Sequence, residues 1–174
     1  MKKFLIIVFS IIIFLLACIY IFIPGKLEIS KTEYIKCNED EAYKVISDES
    51  MWQKWWPEKD GLIKRNDAGE EVFFYKGYRY QLTGKYANSI EVKIRSDLSI
   101  MDSRINVIKL NSDSVALTWK CEITTSINPV SRLLKFREAK EVKNNMTDIL
   151  SRLRSFLKEN STDKNLPDDF LNLN

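Results

Sequence analysis

Residues 4–23 read FLIIVFSIIIFLLACIYIFI, twenty positions without a charge, with Lys2 and Lys3 before them and Pro24-Gly25 after. Twenty helical residues span roughly 30 Å, the thickness of a bilayer's hydrocarbon core. A helix of a small soluble domain shows a polar stripe, and here only Ser10 interrupts the apolar surface. The segment predicts a transmembrane helix, and residues 1–25 a membrane anchor. It is longer than the roughly 7–15 apolar residues of a cleavable signal peptide. Within it LLAC, residues 15–18, is similar to a bacterial lipobox with Cys18 as the lipidated residue. The apolar IYIFI that follows Cys18 favours an uncleaved anchor over that alternative. Lys2 and Lys3 place the N-terminus in the cytoplasm, because cytoplasmic flanks carry the excess of basic residues. The expected localisation is the cytoplasmic membrane, single-pass, with the rest of the chain outside; Lys26 and Lys31 on the far flank reduce the asymmetry.

Composition then removes whole classes of chemistry. Without Lys2 and Lys3 the chain holds 25 basic and 24 acidic residues, no excess of the kind a nucleic-acid partner requires. There is no histidine, which excludes Ser-His-Asp and Cys-His hydrolysis and the His-containing zinc sites. No glycine-rich phosphate loop and no metal-ligand spacing is present, so no cofactor and no metal is expected. Of three cysteines, Cys18 lies in the anchor; Cys37 and Cys121 either pair in an oxidising compartment or are small buried residues. Glu70-Glu71 and Asp168-Asp169 are adjacent acids, which read as solvated turn and tail positions.

Past the anchor the pattern divides cleanly. GKLEISKTEYIKC predicts a strand over about 27–36, with ambiguous faces because Lys31 and Glu33 share a side with Ile29 and Ile35. Asn38 followed by Glu41 is a helix N-terminus signature, and Ala42, Val45 and Ile46 form that helix's apolar face. ESMWQKWWP predicts a second short helix ending before Pro57. From 62 to 125 the period becomes two. EVFFY and YRYQLTGKY flank the turn signal Lys76-Gly77; Ile90, Val92 and Ile94 alternate with charges; Val115, Leu117, Trp119, Cys121 and Ile123 do the same after a turn at 111–114. Such half-polar strands belong to an antiparallel sheet with one covered face. Its cover is a helix over about 130–158, with a stripe through Ala139, Val142, Met146, Ile149, Leu150, Leu153, Phe156 and Leu157. Its other face sets Arg132, Lys135, Arg137, Lys140, Lys143, Arg152, Arg154 and Lys158 against Glu138, Glu141 and Asp148; we read it as solvated rather than lipid-bound. Residues 159–174 lack periodicity and are expected to form a flexible tail.

Strand, two short helices, meander and long helix resemble the helix-grip domain of the START-like, or SRPBCC, superfamily over residues 26–158. ISKTEYIKCNEDEAYKVISDESMWQKWWP is similar to the opening of membrane-anchored bacterial members, whose Asp and W-x-x-W-x-P turn correspond to Asp48, Trp52, Trp55 and Pro57, with Trp56 between the last two as an insertion or a variation. FFYKGYRYQL and WKCEITTSINPVSRLLKF also look like this subgroup, while the usual proline before the first helix is replaced by Cys37-Asn38. The resemblance implies an α+β fold: an N-terminal transmembrane helix, then a curved antiparallel sheet gripping a long C-terminal helix, with two short helices gating a cavity for lipids, aromatic polyketides or other apolar molecules.

Candidate cavity-lining residues follow from these faces. Trp52 and Trp55 share a helix face and Trp56 neighbours Trp52; core packing is the first reading for Trp52 and Trp55, and a place at the cavity mouth stays open for Trp56. Tyr78 and Tyr80 share a strand face with Leu82, Tyr75 lies across the hairpin, and each phenol offers an apolar body with one polar handle. Trp119 and Cys121 sit on the inward face of the last strand. Phe136 and Met146 read as packing of the long helix on that sheet, and Phe136 is also counted in the lining. The leading reading is a membrane-tethered domain that binds a lipid or hydrophobic small molecule. The alternative is a protein-interaction module with a filled core and an unspecified protein partner. A cyclase- or hydrolase-type enzyme ranks last, since no catalytic constellation can be assembled.

Overall fold

The computed structural model describes residues 2–58, 64–65 and 71–163. Gly61, Glu70 and residues 164–174, with Asp168 and Asp169, lie outside them. The chain opens with α1 (Lys2–Phe22), which is long and apolar enough to cross a membrane and has no buried residue. Pro24 and Gly25 then lead directly into β1 (Lys26–Ile35).

Two short helices follow, each with a local cause. In α2 (Glu39–Ser47) Asn38 Oδ1 accepts from the Glu41 N–H at 2.7 Å, and three acids occupy the first turn, where the helix dipole favours them. Asp48 serves two helices at once. Its N–H donates to the Lys44 carbonyl and ends α2, while its carboxylate accepts from the Ser50 N–H and hydroxyl and starts α3 (Glu49–Trp55). The bonds to Ser50 hold the Asp48 carboxyl below its ordinary value. Trp56 caps α3, because Pro57 cannot continue the helix.

The sheet consists of β1 with β2 (Lys64–Arg65), β3 (Glu71–Tyr75), β4 (Tyr78–Lys85), β5 (Ser89–Arg95), β6 (Ile100–Lys109) and β7 (Val115–Thr124). It is antiparallel throughout, in the order β1-β7-β6-β5-β4-β3-β2. The β3–β4 turn is Lys76-Gly77 with φ of 47° and 80°, the doubly left-handed turn that matches strand twist and needs a glycine. A register shift between Leu82 and Gly84 bends β4. Inward residues are fully buried at Ile90, Val92, Ile94, Val115, Leu117 and Trp119, as alternation predicts.

The long helix α4 (Pro129–Asp163) lies against this face. Asn128 Oδ1 caps it through the Val130 and Ser131 N–H groups, and proline occupies the first helical position, where its missing N–H costs nothing. Val142, Met146, Ile149, Leu150, Leu153 and Leu157 are fully buried, each worth roughly 1.5–3 kcal/mol of apolar transfer.

Three expectations change. The helix runs to Asp163, so residues 159–163 are helical rather than tail; Asn160 Nδ2 donates to the Phe156 carbonyl (2.9 Å), and no proline interrupts the chain before Pro167. Glu138, read as solvated, is only 2% exposed because β5–β6 folds over it. On β1 the polar inward pair Lys31–Glu33 is half-buried, closing an ion pair at 3.2 Å with Arg154 of α4 beside it, which resolves the ambiguity of that strand's faces.

Candidate functional site

The interior between sheet and helix is built from the inward side chains of the sheet on one side and from Ala139, Val142, Asn145, Met146 and Ile149 on the other. One end is closed by the α3 tryptophans. Trp52 stacks on Trp56 at 5.5 Å with 7° between planes; both rings touch Phe73, at 5.0 and 5.3 Å. Trp56 meets Tyr80 edge-on at 5.3 Å, and Tyr80 meets Trp119 at 6.0 Å. Side chains read as cavity lining therefore also occupy the interior, as one continuous aromatic chain from α3 to β7.

Hydrogen bonding sorts these residues. Trp52 Nε1–H donates to the Ile46 carbonyl (2.7 Å), Trp56 Nε1–H to the Phe74 carbonyl (2.8 Å), and Trp119 Nε1–H to Ser103 Oγ (3.0 Å). Tyr75 Oη–H donates to Asp148 Oδ2 (2.9 Å), and Lys76 Nζ donates to the same oxygen at 2.7 Å. Tyr78 Oη–H donates to Glu141 Oε2 (3.0 Å), whose other oxygen accepts from Arg137 Nε. Both hairpin phenols thus strap β3–β4 to α4.

Tyr80 is different. Its side chain is fully buried, and its hydroxyl makes no hydrogen bond of normal geometry, although the Asn145 amide is close enough to act on it as a weak donor. Burial pushes this phenol far above its ordinary value, and the neighbouring Asn145 amide pulls it partly back. Asn145, a residue 3% exposed, likewise has no hydrogen bond of normal geometry at Nδ2, and neither does Trp55 at Nε1. Asn145 was missed from sequence, although a polar residue three positions after Val142 on the apolar stripe is a legible anomaly. Phe136, in contrast, is half-buried and outside the core; Lys140 Nζ sits 4.7 Å from its ring centroid, whereas Met146 packs as expected.

Cys37 and Cys121 are both buried and unpaired. Burial pushes the Cys121 thiol up to about 12, with Asp102, Glu122 and Glu138 adding to the effect, and the Cys37 thiol up to about 11. Neither is a thiolate nucleophile near neutral pH. Among the described residues no group of three or more His, Cys, Asp or Glu side chains is arranged to hold a metal ion. A separate surface groove of about 420 Å³ lies between the end of β1, the β6–β7 turn and the last turns of α4, lined by Tyr34, Leu110 and Arg154 among others. It touches none of the aromatic candidates.

The straps have an acid dependence. Lys76, then Tyr75, hold Asp148 below the usual carboxylate range, and Arg137, then Tyr78, do the same for Glu141. Depressed folded values mean that the unfolded chain binds protons first, so this stabilisation is complete above about pH 5 and is lost as pH falls through the folded values. The denaturation midpoint is expected to fall between about pH 6 and pH 3, and to fall less in Asp148→Asn. Equal falls in both proteins would remove Asp148 from the acid response.

No family model matches the sequence, and no curated protein matches it. Solved structures do. A START superfamily protein from Mycobacterium smegmatis is 18% identical with a TM-score of 0.51, covering 75% of this chain and 98% of that one. A norcoclaurine synthase point mutant from Thalictrum flavum gives 0.58 at 14% identity, covering 78% and 96%. The Zhui aromatase/cyclase from Streptomyces sp. R1128 gives 0.54 at 13% identity, covering 76% and 93%. The architecture is that of a helix-grip α+β domain. More particularly, this chain carries the START-like, or SRPBCC, fold.

Proposed function

We propose that this chain is a membrane-tethered START-like domain that holds a lipid or other hydrophobic small molecule between its sheet and α4. The observation that carries the reading is the buried polar pair of Tyr80 Oη on the sheet and Asn145 Nδ2 on the helix, which lie near each other yet make no hydrogen bond of normal geometry, to one another or to a third group. A buried polar group without a hydrogen bond costs about 1–3 kcal/mol, which a bound partner would recover. Both groups donate, and Tyr80 keeps its proton because burial raises its pKa. The complementary ligand carries one acceptor oxygen, such as a carbonyl or ester, on an apolar or aromatic body. Trp56 is the ring to be displaced, since it stands between the short helices and Tyr80. Similar proteins support an aromatic cargo: a Thalictrum flavum norcoclaurine synthase is described with dopamine and hydroxybenzaldehyde, and Zhui as an aromatase/cyclase. The α1 tether would keep the site beside a reservoir of apolar molecules, at the outer face of the cytoplasmic membrane if Lys2 and Lys3 set the topology.

One observation favours a second reading. The aromatic chain leaves each ring in contact with the next, as in a protein-interaction module with a filled core. An enzymatic reading has less support, because buried Glu138 is committed to Ser96, Ser99 and Lys135.

Native mass spectrometry with lipid extraction, on the full chain taken from membranes, separates the first two. The expected result is an apolar mass at one per chain, with occupancy reduced about tenfold in Tyr80→Phe combined with Asn145→Leu, equivalent to roughly 1.4 kcal/mol. An empty protein that also ignores a hydrophobic fluorescent probe would replace the carrier reading with the interaction module.

A further inference from the structure

The outer face of α4 is charged along most of its length, yet its start is not. Val130, Leu133 and Leu134 share one side of the first turn and a half, opposite the core stripe, and Ile127 precedes them. Leu98 of the β5–β6 turn joins the same end, where Lys135 Nζ donates to its carbonyl at 2.9 Å, and Ile100 opens β6 there. These six side chains are between 45% and 88% exposed. Contiguous exposed apolar surface of this kind marks a protein or membrane contact.

The anchor decides between those partners. α1 does not lead into a slack linker; its end is bonded to the beginning of α4. Tyr20 Oη–H donates to the Ile127 carbonyl, and Arg132 Nε donates to the Ile23 carbonyl at 2.7 Å with its guanidinium 4.9 Å from the Tyr20 ring. Thr125 closes the joint, its N–H on the Gly25 carbonyl (2.9 Å) and its hydroxyl on the Pro24 carbonyl (3.0 Å). Tyrosine near the end of a membrane span sits at headgroup level. Whatever is bonded to Tyr20 shares that depth, and Ile127 is bonded to it.

We propose that Ile127, Val130, Leu133 and Leu134, flanked by Leu98 and Ile100, insert into the bilayer interface and dock the base of the domain on the lipid surface. The inference rests on α1 spanning the membrane. Arg132 and Lys135 lie at headgroup level in this arrangement, and both are held by carbonyl bonds that fix their height. Asp97 is the acid in the neighbouring turn, and Glu122 is neutralised by Lys26 at 2.7 Å. Docking of this kind fixes the domain's tilt and keeps the grip at a constant distance from the lipid tails.

The test uses the full chain in nanodiscs of phosphatidylcholine and phosphatidylglycerol, in a Cys18→Ala background where Cys37 and Cys121 are shielded by burial. A polarity-sensitive fluorophore is placed singly through Ile127→Cys, Leu133→Cys, Ile12→Cys in the anchor, and Asn111→Cys in the turn at the far end. Lipids with a nitroxide near the headgroup serve as quencher for positions 111, 127 and 133, and lipids with a nitroxide deep in the acyl chain for position 12, which lies near the bilayer centre. The expected result is several-fold stronger quenching at 127 and 133 than at 111, together with quenching at 12. Quenching at 12 with 127 and 133 equal to 111 would overturn the docking while leaving the anchor intact, and would make the patch a protein contact. An unquenched fluorophore at 12 would overturn the anchor, and the docking with it.

Discussion

Trp52→Ala is expected to lower the stability of the folded domain by on the order of 3–5 kcal/mol, the range for truncating a fully buried large aromatic side chain. Trp52 is 0% exposed and central to the α3 cluster, in ring contact with Trp55, Trp56 and Phe73. Its loss removes those contacts and also leaves the Ile46 carbonyl without the indole N–H that bonds it. Trp52→Phe keeps much of the packing and loses only the bond and some volume, so it should cost distinctly less. Guanidinium denaturation of the full chain in mild detergent, followed by tryptophan fluorescence, reads both. A cost under about 1 kcal/mol for Trp52→Ala would mean that the cluster can collapse into the space, and that this end of the grip is softer than its packing implies.

The second large effect is expected at Glu138. Its carboxylate is buried on α4 and accepts from Ser96 Oγ and Ser99 Oγ at 2.5 Å each and from Lys135 Nζ at 3.2 Å. Ser96 Oγ in turn accepts from the Leu98 and Ser99 N–H groups, so one carboxylate organises the whole β5–β6 turn. Removing one partner of a buried ion pair typically costs about 3–5 kcal/mol, because the other charge is left uncompensated. Glu138→Ala should approach that range, whereas Lys135, less deeply placed, can turn outward and limit the loss. Glu138→Gln retains the shape and an acceptor and should cost less than the alanine variant. A double-mutant cycle with Lys135→Met isolates the ion pair from the two serine bonds. If Glu138→Ala proved as mild as a surface substitution, the turn would be held by its own backbone and the carboxylate would be incidental.

Much of the fold was legible before any coordinates. The N-cap at Asn38, the stop at Pro57, the turn at Lys76-Gly77 and the alternation from Val115 to Ile123 all rest on interactions within a few residues. Local sequence contains everything those features need. The apolar stripe of α4 was equally plain, although its extension to Asp163 was not, because the polar residues after Leu157 remain compatible with a helix that has already been nucleated and packed.

The site divides differently. That Tyr75, Tyr78 and Tyr80 face inward follows from strand period alone. Which phenol is left without a good hydrogen bond does not, because the partners Asp148 and Glu141 lie more than sixty residues away on another element. Separation along the chain also hid Glu138, whose charge suggests a solvated position until Ser96 and Ser99 are folded over it. Asn145 acquires meaning only when Tyr80 is seen beside it. Sequence by itself determined the element order, the faces of α2, β5 and β7 with the apolar stripe of α4, and the membrane-compatible segment, since these depend on local geometry and periodic burial. Only the tertiary structure decided which polar groups are paired, which are orphaned, and how the end of α1 is locked to the start of α4, because hydrogen bonds between distant segments leave no periodic trace in the chain.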